Sequence, residues 1–320
     1  MKAIRVHEFG GPEVLKLEEL ATPKPAAGQV LVHVHAAGVN PYDTYMRAGT
    51  YAVKPPLPYT PGSDAAGVIE AVGEGISKVK AGDRVYTAKT LTGAYAEYAL
   101  ALEDQVYRLP EKISFAQGAG VWVPCGTAYH ALYHSAQARA SESLLVHGAS
   151  GGVGIATVQL GRALGLTVFG TAGTAKGLAL VTREGAQQVF DHSKAGYQEQ
   201  IMHSTGGRGV DIIVEMLANV NLPQDLKMLA TNGRVIIVGN RGDCTINARD
   251  LMARRASARG FTLWAVTEAE AAAMHAGMGA AMENGTLRPI VGKEIPLGEA
   301  ARAHQEILEP GAHGKIVLIA

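Results

Sequence analysis

The stretch Val146–Gly154, with the sequence VHGASGGVG, decides the fold of this chain. It follows an apolar run that predicts a strand, Ser143–His147, and it precedes a segment that predicts a helix, Val153–Leu164. This strand–turn–helix order is typical of the first unit of a doubly wound α/β sheet that binds a dinucleotide. Gly151 lets backbone amides approach a diphosphate, and Gly154 lets the helix pack close to the strand. The helix N-terminus then offers free amides and a partial positive charge to the phosphates.

The first glycine of the usual G-x-G-x-x-G pattern is replaced by Ala149, so the turn alone is a moderate signal. Further apolar runs, rich in β-branched residues, alternate with segments of helical length. Such runs are typical of parallel strands buried on both faces. The alternation predicts a Rossmann-type doubly wound parallel sheet over residues 118–260. Its later strands are predicted at Thr167–Gly170, Gln188–Phe190, Val210–Val214 and Arg234–Val238.

The chain has a different character on either side of this sheet. Residues 1–117 contain short apolar runs, such as Val30–His35 and Ala66–Val72, that are bounded by glycine and proline. This pattern predicts a barrel or sandwich of short strands. Over residues 261–320 the alternation fades, and an alanine-rich helix is predicted at Glu268–Glu283.

The composition excludes several function classes. The 29 basic residues balance the 29 acidic residues, and a formal net charge of zero argues against a general nucleic-acid or anionic-membrane binder. Two cysteines cannot build a disulfide framework or a zinc cluster, and they fit a reducing compartment. The chain shows neither a signal peptide nor an apolar run of about 18 residues. We therefore expect a cytoplasmic protein with no membrane partner.

The residues after the second predicted strand discriminate between NAD and NADP. An NAD site usually carries a carboxylate there for the ribose 2′-hydroxyl, but the sequence offers Thr171, Gly173 and Lys176 instead. Hydroxyls, a free amide and a lysine favour a 2′-phosphate. His192, after the third strand, falls in the same region, and a phosphate nearby would favour its charged form. These residues predict NADPH as the cofactor.

Other catalytic motifs are missing. The sequence contains no H-E-x-x-H, no C-x-x-C and no G-x-S-x-G, and Cys125 and Cys244 stand alone. We therefore predict no metal, and we expect the cofactor to supply most of the chemistry.

Four further segments carry a resemblance to a known family. They are Phe9–Leu15 (FGGPEVL), Gly38–Tyr51 (GVNPYDTYMRAGTY), Pro58–Asp64 (PYTPGSD) and Glu215–Asn221 (EMLANVN). Together with the glycine turn, they resemble the zeta-crystallin-like quinone oxidoreductases of the medium-chain dehydrogenase/reductase superfamily. The resemblance implies a GroES-like β-barrel catalytic domain in two parts, residues 1–117 and 261–320, with the Rossmann domain inserted between them.

The resemblance also implies a set of residues that bind NADPH and a site without zinc. Zinc-dependent members of the superfamily hold a catalytic metal at places that match Asn40 and Gly62–Asp64 here, which implies that this chain is zinc-independent. The implied cofactor-binding residues are Tyr45, Ser150, Gly151, Gly152, Val153, Gly173, Lys176, His192, Asn221, Val238, Gly239, Asn240, Arg241, Phe261, Thr262 and Leu263.

The activity implied is the reduction of a quinone by NADPH, through transfer of a hydride or an electron. The protein would orient the two rings and exclude water. Asn40 or Tyr45 is a candidate to hydrogen-bond the reduced oxygen, and no general acid is assigned. If their segment is helical, Asp43 and Arg47 are spaced to form an ion pair. The candidate catalytic residues are Asn40, Asp43, Tyr45, Arg47, Tyr51 and Thr127.

Two alternatives stay open. The first is NADPH-dependent reduction of the double bond of an enal or enone. The second, from another class, is a structural crystallin-like or RNA-binding role. The basic run at Arg254, Arg255 and Arg259 is better explained as a solvated face, because the net charge is zero. The resemblance further implies a homodimer or homotetramer, in which nucleotide-domain sheets join edge to edge.

Overall fold

The computed structural model describes all residues from 1 to 320. The strands are β1 (Lys2–Arg5), β2 (Lys16–Glu19), β3 (Gln29–Val39), β4 (Asp64–Val72), β5 (Arg84–Thr87), β6 (Tyr98–Leu102), β7 (Val106–Arg108), β8 (Ser143–Val146), β9 (Thr167–Ala172), β10 (Gln188–Asp191), β11 (Val210–Glu215), β12 (Leu229–Ile237), β13 (Ser257–Gly260), β14 (Val291–Pro296) and β15 (Lys315–Ile319). The α-helices are α1 (Pro41–Ala48), α2 (Phe115–Gly118), α3 (Gly126–Tyr129), α4 (Gly152–Ala163), α5 (Ala175–Arg183), α6 (Tyr197–Ser204), α7 (Ala218–Met228), α8 (Ala248–Arg254), α9 (Glu268–Asn284) and α10 (Ala300–Glu306).

The chain divides into two compact units. The barrel unit comprises Met1–Val123, Arg288–Glu309 and Gly314–Ala320, and the nucleotide unit comprises Pro124–Leu287 and Pro310–His313. These bounds differ from the predicted division at 117/118 and 260/261. The main reason is α9, which packs in the nucleotide unit: a Cβ added at Gly277 would lie 2.5 Å from the Tyr129 ring of α3.

The nucleotide unit contains a six-stranded parallel sheet in the order β10-β9-β8-β11-β12-β13. Numbered within the sheet, this is the order 3-2-1-4-5-6 of a dinucleotide-binding Rossmann fold, so the predicted fold class is confirmed. Ile213 in β11 pairs with Leu145 of β8 on one side and with Val235 of β12 on the other. All three side chains are fully buried, as the uninterrupted apolar runs predicted.

The barrel unit contains a seven-stranded sheet in the order β14-β15-β3-β4-β5-β7, with β6 also paired to β3. Strands β3, β4, β5, β6, β7 and β15 pair with antiparallel neighbours, as expected for short strands joined by glycine and proline turns. Its core includes Val32, Ile69 and Leu318, so the last strand contributes directly to the first part of the chain. No helix of the molecule is long and apolar enough to cross a membrane.

Candidate functional site

The glycine turn has the geometry that the sequence predicted. Gly148 adopts a left-handed conformation with φ of 54°, and α4 begins at Gly152. A Cβ added at Gly154 would lie 2.5 Å from Ala149 Cα and 2.6 Å from the Gly148 carbonyl oxygen, so only glycine fits at this helix–turn contact. The first amides of this 12-residue helix have no acceptor within the helix, which makes its N-terminus suited to an anion.

Ser150, at the tip of the turn, contacts the short segment Pro310–His313, which also belongs to the nucleotide unit. The Ser150 hydroxyl donates to the Ala312 carbonyl oxygen at 2.6 Å. This bond holds the tip of the turn without using the helix amides. The Gly151 amide, in contrast, donates to the Gly148 carbonyl oxygen at 3.1 Å and so closes the turn itself.

The residues that we expect to favour NADP over NAD, by binding its 2′-phosphate, lie together at and after the ends of β9 and β10. The Thr171 hydroxyl is 3.2 Å from Nδ1 of His192 and also accepts from the Gly148 amide at 3.2 Å. A Cβ added at Gly173 would lie 2.8 Å from His192 Nε2. Lys176 is exposed in the first turn of α5. Burial, with His147 nearby, lowers the pKa of His192, so the ring is neutral until an anion approaches.

The carboxyl ends of β11 and β12 meet at the same edge of the sheet. The amides of Val238 and Gly239 both donate to the Glu215 carbonyl oxygen, at 2.9 and 3.3 Å. Asn221 in α7 donates from Nδ2 to Glu215 Oε1 at 3.1 Å. This edge is where ligands of doubly wound sheets bind, so these predicted cofactor residues are grouped as expected.

The remaining predicted residues of the nucleotide unit are less well grouped. Asn240 and Arg241 are exposed and follow the same edge, where the Arg241 amide donates to Asn219 Oδ1 at 3.0 Å. Phe261 stacks on the His130 ring with a centroid distance of 4.1 Å. Leu263 is buried and Thr262 is exposed, whereas Thr127 is buried in α3.

In the barrel unit, the predicted catalytic residues lie on and beside α1. Asp43 and Arg47 are in a helix, but the predicted ion pair between them does not form. Arg47 Nε donates instead to the Gly10 carbonyl oxygen at 3.1 Å, while Asp43 Oδ2 accepts from the Asn40 amide at 2.8 Å. The Asn40 backbone N–H, at the start of the helix, has no acceptor within the helix, so the Asp43 carboxylate accepts its hydrogen bond.

Asn40 belongs to a buried ionic group that the sequence analysis did not find. Lys315 Nζ donates to Asn40 Oδ1 and lies 3.5 Å from Asp64 Oδ2, and Asn40 Nδ2 donates to Asp64 Oδ2 at 3.0 Å. All three side chains are buried. Burial raises the pKa of Asp64, and the Lys315 ammonium opposes that shift. The side-chain amide of Asn40 is therefore hydrogen-bonded within the protein through both its oxygen and its nitrogen. Its role toward a substrate oxygen stays a prediction.

A second buried chain of hydrogen bonds starts from Asp43. The Tyr95 hydroxyl lies 3.2 Å from Asp43 Oδ2 and 3.2 Å from His304 Nε2. Burial raises the pKa of Asp43 to about 7, although the Asn40 amide and Lys315 oppose this. Burial lowers the pKa of His304 to about 3, so this histidine is neutral. The two hydrogen-bonded side chains that follow Asp43, Tyr95 and His304, therefore add no positive charge to oppose the effect of burial.

This set of groups does not fit a zinc ion. Zinc needs three or four electron-pair donors from cysteine, histidine or carboxylate. At the places that match the metal ligands, the chain has an amide, Asn40, a serine, Ser63, and a single carboxylate, Asp64. The Lys315 ammonium contacts two of them, and it is a cation without an acceptor. A fixed cation therefore stands beside Asp64 in the barrel unit.

Next to α1 the barrel unit has an open cavity of about 430 Å³. Tyr42, Met46 and Ser63 line one part of it, and prolines of the loop at 55–61 line another. The Tyr42 hydroxyl bonds to Ser63 Oγ. Tyr51 stands beside Tyr42, with ring centroids 6.0 Å apart, and Tyr45 is half-buried in the same helix. The cavity offers flat tyrosine and proline walls together with several hydroxyl groups, among them those of Tyr42 and Ser63.

Several of these residues left no readable signal in the sequence. Lys315 is 251 residues from Asp64, and Tyr95 is 209 residues from His304. Spacing cannot reveal such pairs. His147 and Glu215 could have been noticed in the sequence, because each is an ionisable residue at the end of an otherwise apolar strand.

Comparison with known sequences defines the class. The alcohol dehydrogenase GroES-like domain matches residues 26–111, and the zinc-binding dehydrogenase domain matches residues 152–276. The molecule therefore combines a GroES-like domain with a nucleotide-binding domain of the dehydrogenases, as the resemblance implied.

Individual relatives narrow the class to a family. The chain is 54% identical over 321 residues to a quinone oxidoreductase of Homo sapiens, and this covers 100% of the chain and 98% of the relative. A quinone oxidoreductase of Sus scrofa gives the same identity and coverage. The crystal structure of Escherichia coli quinone oxidoreductase complexed with NADPH is 31% identical, with a TM-score of 0.89 and full coverage of both chains. The chain belongs to the quinone oxidoreductase family of the medium-chain dehydrogenase/reductase superfamily.

Proposed function

We propose that this protein catalyses the reduction of a quinone by NADPH without a metal. The observation that carries the proposal is the glycine turn, where Gly154 packs against Ala149 and the amides of α4 are left to bind a diphosphate. The family supports it, since relatives at 54% identity are quinone oxidoreductases. Bound NADPH supplies the reducing equivalent of the reaction, as a hydride or an electron.

The residues of the nucleotide unit bind and orient the cofactor. The first amides of α4, beginning at Gly152, hold the diphosphate, and Ser150 keeps the turn in place through Ala312. Thr171, Lys176 and His192 hold the 2′-phosphate, and its charge raises the pKa of the His192 ring. The edge formed by Glu215, Gly239 and Asn221 lies where the nicotinamide half of a dinucleotide binds in such sheets.

The barrel unit provides the acceptor site. We assign the cavity beside α1 to the quinone, because its tyrosine and proline walls suit a flat ring and its Ser63 and Tyr42 hydroxyls suit a carbonyl oxygen. Lys315 joins Asn40, at the start of α1, to Asp64, at the start of β4, and so fixes the helix that carries Tyr42 and Tyr45. A reduced quinone oxygen is acidic, so solvent is able to supply its proton.

The assay that tests this function compares two cofactors and two acceptor classes. We expect oxidation of NADPH with ortho- and para-quinones, and much weaker oxidation of NADH. Reduction of enals or enones with no quinone activity would establish double-bond reduction in place of our proposal. Equal use of NADH would contradict the assignment of Thr171, Lys176 and His192.

We also propose a cytoplasmic homo-oligomer that pairs through β13. This strand ends the six-stranded sheet, pairs only with β12, and is exposed at Ala258, Arg259 and Gly260. An unpaired edge of this kind is a template for pairing with a second copy. Light scattering of the purified protein should give the mass of two or four chains, and the mass of one chain would contradict the proposal.

A further inference from the structure

Three buried ionisable side chains meet at the carboxyl edge of the nucleotide sheet. His147 follows β8, Glu215 ends β11, and Asp225 lies in α7. Their nitrogen and oxygen atoms lie within 4.8 Å of one another, and none of the three residues is more than 3% exposed. Glu215 belongs to the sheet edge assigned above to the cofactor, and the cluster lies directly before the glycine turn and beside Asn221.

Two carboxylate oxygens of this cluster accept no hydrogen bond from the protein. His147 Nε2 lies 2.8 Å from Asp225 Oδ1 and 3.6 Å from Glu215 Oε2. Glu215 Oε1 accepts from the Leu217 amide and from Asn221 Nδ2. Glu215 Oε2 and Asp225 Oδ2 are buried and meet no hydrogen-bond donor of the protein. With both carboxyls ionised and His147 protonated, the buried cluster would carry a net negative charge, which is costly away from water.

One additional proton removes both difficulties. The two carboxyl groups each place an oxygen within 4.8 Å of the other, so a proton on Glu215 Oε2 needs only a small side-chain adjustment to be donated to Asp225. The cluster then has one imidazolium, one carboxylate and one carboxylic acid, and its net charge is zero. Glu215 Oε1 remains free to accept from Leu217 and Asn221.

We propose that Glu215 and Asp225 share a proton, and that this proton fixes Asn221 for NADPH, so that cofactor affinity falls when the proton leaves. The proposal rests on the proposed function. Glu215 and Asp225 are positioning residues, since they act through Asn221. Loss of the proton sets two carboxylates against each other in a dry site, and Glu215 then moves from the place where it holds the Asn221 amide.

The electrostatic surroundings put this change near neutral pH. Burial raises the pKa of Glu215 to about 7, with Asp225 adding to the shift and His147 opposing it. Burial opposes a charge on His147, but Asp225 and Glu215 together raise its pKa. Two other groups face the cluster: Tyr197 of α6, whose pKa is raised, and His192, whose pKa is lowered. Both side chains are neutral near pH 7, so neither supplies a positive charge that would balance two ionised carboxylates.

A divalent metal ion is the rival occupant. Two ligands of a tetrahedral zinc ion, each about 2.0 Å from the metal, lie roughly 3.3 Å apart. The distance of 2.8 Å between His147 Nε2 and Asp225 Oδ1 is instead that of a direct hydrogen bond. The geometry therefore favours a proton, and metal analysis separates the two.

The test uses the isosteric variants Glu215→Gln and Asp225→Asn in the full chain. In each, a side-chain amide donates to the remaining carboxylate and so takes the place of the proton. For the wild type, we expect calorimetric titration to show that NADPH binding weakens by about tenfold for each pH unit above the pKa of Glu215. The decrease should stop at the pH where the NADPH complex has also lost the shared proton. Both isosteres should lose this contribution, so that their affinity changes less with pH than that of the wild type and keeps only the change due to protonation of His192 beside the 2′-phosphate. Glu199→Gln, at an exposed carboxylate of α6, is the matched control and should keep the wild-type profile.

Two results would overturn the inference while leaving the proposed function intact. One is an NADPH affinity that changes with pH to the same extent in the wild type and in both isosteres. The other is a stoichiometric metal in the wild type that both isosteres lose. The role of Asn221 is tested with Asn221→Ala, which should bind NADPH weakly at every pH.

A spectroscopic measurement keeps the inference testable even if the wild type fails to bind NADPH. Infrared spectra should show the stretching band of a protonated buried carboxyl group in the wild type, disappearing near pH 7. Asp43 contributes to the same band, because its pKa is also about 7, so Glu215→Gln should lose only the part that belongs to Glu215. If the wild type and Glu215→Gln differ in this way but no cofactor binds, the proposed function fails and the shared proton stands; if cofactor binds but the two spectra are the same, the shared proton fails alone.

Discussion

The two units bury carboxylates in different ways. In the barrel unit, Asp64 has the Lys315 ammonium beside it, together with the Asn40 side-chain amide. In the nucleotide unit, Glu215 and Asp225 share one histidine, His147, and two of their oxygens lack a donor. A lysine fixes a site over a wide pH range, whereas a carboxyl pair that depends on a proton changes with pH. The Asp64 site is therefore built for constant geometry, and the Glu215–Asp225 site for a geometry that responds to pH.

The largest effect is expected from removing the fixed cation. Lys315→Met leaves the buried Asp64 carboxylate and the Asn40 oxygen without their partner, and should lower the free energy of unfolding by about 3 kcal/mol. Lys293→Met is the matched control in the same unit, because Lys293 is 58% exposed in its ion pair with Glu306 and should cost less than about 1 kcal/mol. Urea unfolding of both variants makes the comparison. Equal losses would show that Lys315 is not the special cation described here.

The glycine turn should be nearly as sensitive. Gly154→Ala brings a methyl group within 2.5 Å of Ala149 Cα, and we expect a loss of about 2 kcal/mol together with weaker NADPH binding. Gly279→Ala is the control, because the added methyl group meets no atom within 4 Å in α9 and alanine is the better helix former. Thermal unfolding should therefore give a lower midpoint for Gly154→Ala and an unchanged or higher one for Gly279→Ala. The reverse order would contradict the close helix–turn contact.

The pH dependence of stability sharpens the contrast between the units. Glu215 has a pKa of about 7 in the folded chain against an ordinary value of 4.5, so the folded state binds more protons in this interval. Its contribution to stability is fully present below 4.5 and is lost as the pH rises through about 7. Burial of His275 and His304, whose pKa values fall to about 3, acts on the acid side, where stability is lost as the pH drops below 6.5.

The wild type must therefore be compared with Glu215→Gln at each pH. The wild type should lose on the order of 2 kcal/mol relative to the variant between the two pKa values. Asp43→Asn provides the same comparison for the barrel unit, because the pKa of Asp43 is also about 7. Denaturant unfolding across this interval checks both. A constant difference between wild type and Glu215→Gln would mean that Glu215 does not titrate there.

The smallest effect concerns the choice of cofactor. Lys176 is exposed, and its removal in Lys176→Ala should cost about 1 kcal/mol of NADPH binding, or about fivefold in affinity, with NADH binding unchanged. Lys194→Ala is the control, since Lys194 is 75% exposed and pairs with Asp191. Equal losses for NADPH and NADH would remove Lys176 from the 2′-phosphate site.

Local sequence patterns predicted much of the nucleotide unit. The apolar runs, the turn at Gly148 and the helix after it appear as expected, because each depends on residues a few positions apart. The grouping of Thr171 with His192 follows from the parallel order of β9 and β10, which bring their carboxyl ends to one edge. The fold class could be predicted on this basis, whereas the family came from the resemblance of particular segments such as Gly38–Tyr51 to known members.

The buried ionic groups could not be predicted in the same way. The spacing of Asp43 and Arg47 correctly suggested one helix, but the partners of each side chain come from other elements, and the expected ion pair was wrong. Lys315 meets Asp64 only because β15 pairs with β3 and β3 pairs with β4. Such contacts depend on sheet topology, which leaves no trace in local spacing.

The central claim is that a lysine, rather than a metal ion, stands beside Asp64 and that the cofactor is the source of reducing power. The most direct test is the rate of NADPH oxidation with an ortho-quinone after the protein has been stripped of metals by a chelator and analysed for residual metal. The account predicts an unchanged rate, with no gain when zinc is added back. Loss of the rate on stripping, followed by recovery with stoichiometric zinc, would contradict it.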